Sequence, residues 1–487
     1  MKLSQVIKCL KDSGEMDVFT NDPEIRGIEM DSRKVRKGSL FVAIKGFQTD
    51  GHHFIGQAVE NGAAAVVGEE ALELNVPYIK VTDSRTSLGK LASCFYDRPS
   101  RKHKIIGITG TNGKTTTAYI LKHILETAGR TCSLLGTVSN IINNREYKTS
   151  NTTPDALQIQ KMLSKSLDEF VVMEISSHAL EQSRTEGLEL DYGLFTNLAH
   201  DHLDYHENMD QYFLDKKKIF TLLKDGGKGV INLYNSWGEK MAEDLQKEKI
   251  PLILLGDDQC CSIKDVAING RTVFILEMKG QSFEIEFPLP GHHNVYNAAM
   301  AFLTGVDLGI DTADIIKALA GFPGIPGRFE TIIHPSGAKF VVDYAHTVDA
   351  FEYCLEAARQ QGAERIFQIY GFRGGRDQSK RMDMIKASAK YCHKFYLTAD
   401  DLNDESEDEM ISQLHRLNKE FGCGKGEVIP DRTLAIQKAW REAGESDWIF
   451  ITGKGPEAYQ KPFALPAESD LETLKLLLES GRKQAVL

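Results

Sequence analysis

The sequence predicts an α/β protein of three domains: a small N-terminal α/β module, a central parallel-sheet domain of the P-loop ATPase kind, and a C-terminal Rossmann-like domain. Three observations carry this reading. The chain has 487 residues, about three domains at roughly 150 residues each. An apolar strand runs into a Gly-rich turn and then a helix over residues 105–128, the layout that cradles phosphate. Beyond residue 330, short apolar runs alternate with charged, helix-compatible stretches, as in a mostly parallel sheet.

Composition narrows the class. With 41% apolar residues, 26% charged residues and 14 prolines, the chain can build packed cores and is not a disordered or fibrous polymer. Its 58 basic residues against 69 acidic ones give a net charge of −11, so nucleic acid is not an expected partner. The first residues, Met1-Lys2-Leu3-Ser4-Gln5-Val6-Ile7-Lys8, interrupt their apolar positions with charges and offer no signal-peptide core. No run approaches the ~18 apolar residues that would span a bilayer. A cytoplasmic monomer without a membrane partner is expected. The eight cysteines include no Cys-x-x-Cys pair, which points to free thiols rather than zinc or a redox couple.

The first domain covers residues 1–100. Its apolar runs, Leu40-Phe41-Val42-Ala43-Ile44 and Ala63-Ala64-Ala65-Val66-Val67, sit between Gly-rich turns, and Asp97-Arg98-Pro99-Ser100 closes it. The second, residues 101–330, opens on the strand Ile105-Ile106-Gly107-Ile108-Thr109. The helix that follows carries Leu121, Ile124, Leu125 and Ala128 at helical spacing. Phe170-Val171-Val172-Met173-Glu174-Ile175 adds a second buried strand, and the Gly- and Pro-rich segment 321–327 ends the domain. The third, residues 331–487, has strands at Phe340–Tyr344, Arg365–Tyr370, Lys394–Thr398 and Trp448–Thr452. Ligands of such sheets lie beyond the strands' carboxyl ends, where the loops after Tyr370 and Thr452 fall.

Gly107-Ile108-Thr109-Gly110-Thr111-Asn112-Gly113-Lys114-Thr115-Thr116-Thr117 is the sharpest local signal. Glycines let backbone N–H groups close on phosphate oxygens, Lys114 brings a point charge to the β- and γ-phosphates, and Thr115 can ligate magnesium. ATP is the economical ligand, with Gly110, Thr111, Asn112, Gly113 and Thr116 completing the cradle. The usual P-loop spacing places a glycine where this chain has Ile108, so the strict pattern fails by one position.

A second cluster, Asn197-Leu198-Ala199-His200-Asp201-His202-Leu203-Asp204-Tyr205-His206, follows Glu174-Ile175-Ser176-Ser177-His178. His-x-His spacing is compatible with zinc. Equally, Glu174 and one histidine could hold magnesium in a phosphoryl-transfer centre, or the histidines could be solvated loop residues. Further on, Tyr212 to Phe220 reads as helix, and Lys216-Lys217-Lys218 alone would be an ordinary basic face.

In their order, these motifs resemble the Mur ligases, most closely the MurE-type members that make a UDP-N-acetylmuramoyl tripeptide. The matching segments include Asp31-Ser32-Arg33, Asp50-Gly51-His52-His53-Phe54, the phosphate loop, Asn151-Thr152-Thr153-Pro154, Glu174 to His178, Asp201 to His206, His293-Asn294-Val295-Tyr296-Asn297, Gly327-Arg328-Phe329-Glu330 and Asp343-Tyr344-Ala345-His346-Thr347. The resemblance implies an ADP-forming ligase of peptidoglycan precursor synthesis. The γ-phosphate of ATP activates the D-glutamate carboxylate of UDP-MurNAc-L-Ala-D-Glu as an acyl phosphate, and a free amino acid attacks it.

Carried over by position, Lys114, Glu174, His202 and Lys216 are catalytic. Thr115, Glu174, His202 and Lys216 serve the Mg²⁺ site, Lys216 as a carbamate. Ser32, Thr152, Thr153, Ser176, Gln182 and Arg184 match UDP-sugar-peptide contacts, and Asn294, Arg328, Asp343 and His346 match the nucleotide side. The three domains then bind UDP-sugar, ATP and amino acid in turn.

Amino-acid contacts fall on Arg376, Asp400, Asp401, Asn403, Gly453 and Glu457, where the pattern drifts. The diaminopimelate-adding enzymes carry Asp-Asn-Pro-Arg where this chain reads Asp400-Asp401-Leu402-Asn403, and Gly-Lys-Gly-His-Glu becomes Gly453-Lys454-Gly455-Pro456-Glu457. Losing that arginine's bidentate grip points to L-lysine or another diamino acid without a distal carboxylate, Arg373 being the one nearby cation to substitute. Two other classes compete. A related amide ligase with a non-UDP acceptor, of the folylpolyglutamate kind, is opposed by the Asp31-Ser32-Arg33 module. A binding-only sensor is opposed by the presence of Lys114, Glu174, His202 and Lys216 together.

Overall fold

The computed structural model describes residues 1–10, 21–46, 49–149, 151–257, 260–269, 271–403 and 405–484. Three α/β domains follow one another along the chain. In the first, β1 (Gly27–Glu29), β2 (Ser39–Val42), β3 (Ala63–Gly68) and β4 (Tyr78–Lys80) form a parallel sheet in that order. Leu40, Val42, Ala65 and Val67 point into one core, and Phe41, Val66 and Ala63 into another. Both faces are covered, which is why these strands read as continuous apolar runs.

The central sheet comprises β5 (Lys104–Thr109), β6 (Cys132–Leu135), β7 (Asn140–Ile142), β8 (Arg145–Tyr147), β9 (Phe170–Glu174), β10 (Leu190–Phe195), β11 (Leu223–Asn232) and β12 (Leu252–Leu255), in the spatial order β12-β11-β10-β5-β9-β6-β7-β8. The six strands from β12 to β6 are parallel, whereas β7 and β8 run antiparallel. From β5 the chain passes to β6 and β9 on one side and then to β10 on the other, so β5 marks the switch point where a ligand crevice opens. Ile106 and Ile108 pack into a core shared with the helix Lys114–Thr127, while Ile105 joins the opposite core.

The sequence reading of a parallel-sheet central domain needs two additions. The β7–β8 hairpin turns through Asn143 and Asn144, at φ 52° and 59°, values that asparagine tolerates. A separate antiparallel sheet of β13 (Cys261–Asn269), β14 (Arg271–Met278) and β15 (Gln281–Phe287) packs Phe274, Leu276, Ile285 and Phe287 into the core of the helices His292–Asp307 and Thr312–Ala320.

In the third domain β16 (Glu330–Ile333), β17 (Lys339–Asp343), β18 (Arg365–Phe372), β19 (Lys394–Ala399), β20 (Gly426–Val428) and β21 (Asp447–Thr452) lie in the order β16-β17-β21-β18-β19-β20. All are parallel except β16. The four strands read from the sequence are β17, β18, β19 and β21, and the loops after them open at one edge. No helix among the described residues is long and apolar enough to cross a membrane.

A buried ion pair fixes the end of β21. Arg432 donates from Nε and Nη2 to the two carboxylate oxygens of Asp470 at 2.7 and 2.8 Å, and from Nη2 to the Thr452 carbonyl at 2.9 Å. Neither side chain is exposed. Arg432→Met strands Asp470 as an unpaired buried charge, so a loss of about 3–5 kcal/mol is expected. Thermal and urea unfolding of the variant beside the wild type check this, the loss appearing as an earlier transition.

Candidate active site

The phosphate loop follows β5 at the sheet's switch point. Gly110 and Gly113 have φ of 150° and 86°, and a Cβ on either would run into Thr196 Oγ1 or Asn297 Oδ1. Only glycine fits there. The Lys114 ammonium donates to the Gly110 and Thr111 carbonyls at 2.9 and 3.0 Å, folded against the loop that would receive phosphate. Burial pushes its pKa down, since a desolvated ammonium is costly. An anion beside it restores the balance.

Glu174 ends β9 beside the loop and is fully buried. Its carboxylate accepts hydrogen bonds from Thr115 Oγ1 at 2.8 Å, Thr137 Oγ1 at 2.8 Å and Thr137 N at 2.9 Å. It has no ion-pair partner among the described residues. A buried carboxylate satisfied only by neutral donors, next to a threonine hydroxyl and facing a cleft, suits a hard divalent cation. His202 lines the same cleft and holds a left-handed φ of 56°, uncommon for a residue with a side chain. Burial lowers its pKa to about 3 and that of its ring neighbour His178 to about 4, so both imidazoles are neutral and able to act as ligands.

Lys216 stands behind the loop instead of in the cleft. It is almost wholly buried, its amine donating to the Gly110 carbonyl at 2.8 Å and lying 4.4 Å from the Tyr212 ring centre. Burial first, and then the charge of Lys114, hold its pKa well below the usual lysine value. The adjacent Asp215 is engaged elsewhere, with His206 Nδ1 at 3.0 Å, Gln211 Nε2 at 3.2 Å and Lys218 Nζ at 2.7 Å. The basic-face reading therefore fails for Lys216, while Lys218 is a partly exposed cation.

The third domain closes the cleft, whose volume is about 610 Å³. Arg328 Nη2 reaches Thr115 Oγ1 at 3.3 Å, and its guanidinium lies 4.4 Å from the Tyr344 ring centre. Asp343 is buried and accepts from the Phe329 and Ala345 backbone N–H groups at 2.7 and 2.6 Å, burial raising its pKa. Asp201, beside His202, meets Lys380 Nζ at 2.8 Å and His346 Nε2 at 3.4 Å.

Of the residues expected from the sequence, Thr111 to Thr116, Glu174, His202, Asn294, Arg328, Asp343 and His346 line this one cleft. Thr152, Ser176 and Arg184 line it on the acceptor side, and Arg376, Asp400 and Gly453 at the third-domain end. Gly110 and Lys216 lie behind its surface. Thr153 and Gln182 are supporting groups: Thr153 Oγ1 donates to the Glu174 carbonyl at 2.9 Å, and Gln182 Oε1 accepts from Arg184 Nη2 at 2.6 Å. Ser32 sits apart in the N-terminal domain, where its hydroxyl donates to Gln57 Oε1 at 2.6 Å.

Asp401 is held by Lys454 Nζ at 2.7 Å, Asn403 donates to the Gly374 carbonyl at 2.7 Å, and Glu457 pairs with Arg373. Sequence reasoning missed the roles of Asp201 and Lys380 in joining the domains, and the stacked Tyr234–Tyr296 pair, 4.9 Å between ring centres, on the cleft wall. The aromatic at position 296, inside a motif already singled out, was the available signal.

A phosphate loop on a central switch-point sheet, capped across a polar cleft by a Rossmann-like domain, defines an ATP-dependent amide ligase. Family models for the Mur ligase family catalytic domain, the Mur ligase middle domain and the Mur ligase glutamate ligase domain match residues 24–96, 108–305 and 327–455. The chain belongs to the Mur ligase family, whose members use ATP and Mg²⁺.

It is 37% identical over 469 residues to a protein of Alkaliphilus metalliredigens named UDP-N-acetylmuramoyl-L-alanyl-D-glutamate--2,6-diaminopimelate ligase, covering 95% of this chain and 93% of that one. A relative of the same name from Geobacillus thermodenitrificans is 38% identical over 455 residues, covering 90% of this chain and 91% of that one. A solved structure of a ligase of that name superposes with a TM-score of 0.69 at 26% identity, covering 99% of both chains.

Proposed function

We propose that the protein joins a diamino acid to the D-glutamate carboxylate of UDP-MurNAc-L-Ala-D-Glu with cleavage of ATP to ADP and phosphate, a step of peptidoglycan precursor synthesis. It works as a cytoplasmic monomer with domain limits near residues 100 and 330. The observation that carries this is the single cleft in which Lys114, Thr115 and Glu174 face Arg328, Asp343 and His346, with Thr152, Ser176 and Arg184 on the adjoining wall.

In the first half-reaction a carboxylate oxygen attacks the γ-phosphorus and the bond to the β–γ bridging oxygen breaks, releasing ADP. In the second, the amine nitrogen attacks the acyl carbon, the bond to the phosphoryl oxygen breaks, phosphate leaves and the nitrogen loses a proton. The chain's contribution is positioning and charge neutralisation. Lys114 leaves its loop carbonyls for the β- and γ-phosphate oxygens. Arg328 approaches from the joint between the central and third domains, and the loop N–H groups hold the phosphates. Thr115, Glu174 and His202 would hold Mg²⁺, which supplies charge neutralisation at the transferred phosphoryl group when bound. Lys216 carries a carbamate, a reading supported by its burial and its lowered pKa: a neutral amine is the form that adds CO₂.

Mass spectrometry of reactions containing ATP, Mg²⁺, UDP-MurNAc-L-Ala-D-Glu and single amino acids tests this. The expected product is acceptor plus amino acid less one water, with one ADP formed per product. ADP formation with no acceptor-derived product, or product from a non-UDP acceptor alone, would instead favour a different amide ligase.

A further inference from the structure

Behind the phosphate loop lies a buried polar relay that the reaction as described does not use. Ser177, His206, Tyr212 and Asp215 come from the helix Ser177–Glu181 after β9, the loop after β10 and the helix Met209–Lys217, and each is 2% exposed or less. His206 Nδ1 lies 3.0 Å from Asp215 Oδ2, and Nε2 lies 2.9 Å from Ser177 Oγ. Asp215, which also meets the Lys218 ammonium, can only accept as a carboxylate, so Nδ1 carries the proton and Nε2 accepts from the Ser177 hydroxyl. With both nitrogens committed the imidazole cannot turn, and it stacks on the Tyr212 ring at 4.7 Å between centres. The order Ser, His, Asp is that of a nucleophilic triad, but the three are buried and none of them lines the cleft, so Ser177 is not presented to a substrate. What the relay does reach is the loop. The Tyr212 hydroxyl lies 3.2 Å from Thr111 Oγ1, which is otherwise tied to the Ala199 N–H and carbonyl at 3.0 and 3.3 Å. Four residues along the same helix face, Lys216 Nζ donates to the Gly110 carbonyl at 2.8 Å. One helix therefore holds two consecutive loop residues.

We propose that Tyr212 is a positioning residue for phosphoryl transfer, its hydroxyl anchoring the phosphate loop at Thr111 while the Ser177–His206–Asp215 relay holds its ring in place. This rests on the ligase reaction proposed above. In the structure the loop is held partly by Lys114, which donates to the Gly110 and Thr111 carbonyls. Both bonds are given up when the ammonium turns to the β- and γ-phosphates. Lys216, as a carbamate, keeps a single N–H for Gly110. The Tyr212 hydroxyl is the contact from this helix that neither event touches. It keeps the loop N–H groups aimed at phosphate without rearrangement, which is the condition under which fixed donors are most effective. A phenylalanine at this position keeps the stack on His206 and the ring beside Lys216, 4.4 Å from its amine, and loses the anchor alone.

The test is calorimetric titration of a non-hydrolysable ATP analogue with Mg²⁺, and separately of UDP-MurNAc-L-Ala-D-Glu, into the wild type, Tyr212→Phe, His206→Phe and the double variant, beside kcat and KM for both substrates. Tyr212→Phe is expected to weaken the analogue about tenfold, the effect of roughly one hydrogen bond. The KM for ATP should rise to match, kcat should fall by less than about threefold, and affinity for the UDP-sugar acceptor should stay within about twofold. His206→Phe keeps a ring on Tyr212 but loses both relay bonds, and should weaken the analogue about threefold. Added to Tyr212→Phe it should cost less than about twofold more, because residues acting in series are not additive. Ser177→Ala makes the same comparison with a smaller change if His206→Phe does not fold. Wild-type affinity for the analogue in Tyr212→Phe, or equal loss of analogue and acceptor, overturns the anchor, and multiplicative losses in the double variant overturn the relay. The expected loss of analogue binding in Tyr212→Phe, with no amide product from the wild type, supports the anchor while sinking the ligase reaction.

Discussion

Lys114→Ala is expected to lower ADP formation roughly a thousandfold while leaving the fold intact. The ammonium hydrogen-bonds only two carbonyls of its own loop, at Gly110 and Thr111; when it is gone the Gly110 carbonyl keeps its bond from Lys216 Nζ at 2.8 Å, and Thr111 lines the cleft. What disappears is a charge placed where negative charge develops on the transferred phosphoryl group, in a cleft where preorganised electrostatics are worth several kcal/mol. Stopped or coupled ADP assays, read beside circular dichroism and the thermal midpoint, separate the two effects. Turnover close to wild type in a folded variant would refute the assignment of this loop to ATP.

Lys216→Ala should be nearly inactive, by about a hundredfold or more, and should regain part of its rate in acetate or formate. Truncation removes the side chain that fills the space beneath Gly110, next to Tyr212, where a small carboxylate could take its place. If the working group is an anion, supplying one in trans restores it. If it is a cation, acetate does nothing and Lys216→Arg keeps the activity. The surroundings favour the first outcome: burial and the charge of Lys114 hold the amine's pKa well below the usual lysine value, and Asp215, the nearest acid in sequence, is engaged by His206, Gln211 and Lys218. Activity of Lys216→Arg at the wild-type level would remove the carbamate.

Much of this arrangement is legible in the sequence because its chemistry is contiguous. The strand, Gly-rich turn and helix of residues 104–127 lie within one stretch, as do Glu174 to His178, and a loop that must receive phosphate admits few residue types. The four buried strands of the third domain are legible because burial on both faces makes them uniformly apolar. The β13–β15 sheet is not. It buries one face only, so residues such as Glu277, Glu284 and Glu286 alternate with apolar ones and resemble a solvated stretch. Contacts made by tertiary closure are also invisible: Asp201 finds Lys380 179 positions away, and Arg373 finds Glu457 84 positions away. No local pattern announces either pair, although the charged residues themselves were in plain view.

The meeting of Asp201 with Lys380 and His346 bears on the catalytic cycle. Inter-domain seams of this polar kind hold through exchangeable hydrogen bonds rather than through a sealed apolar face. Were the third domain to move away, Asp201, Lys380 and His346 would each find water in place of their present partners. Exchanging these polar contacts for water costs little, so they would not by themselves oppose an opening that discharges ADP and product. With a seam built this way, the rate of product escape can limit turnover even when the chemistry is fast.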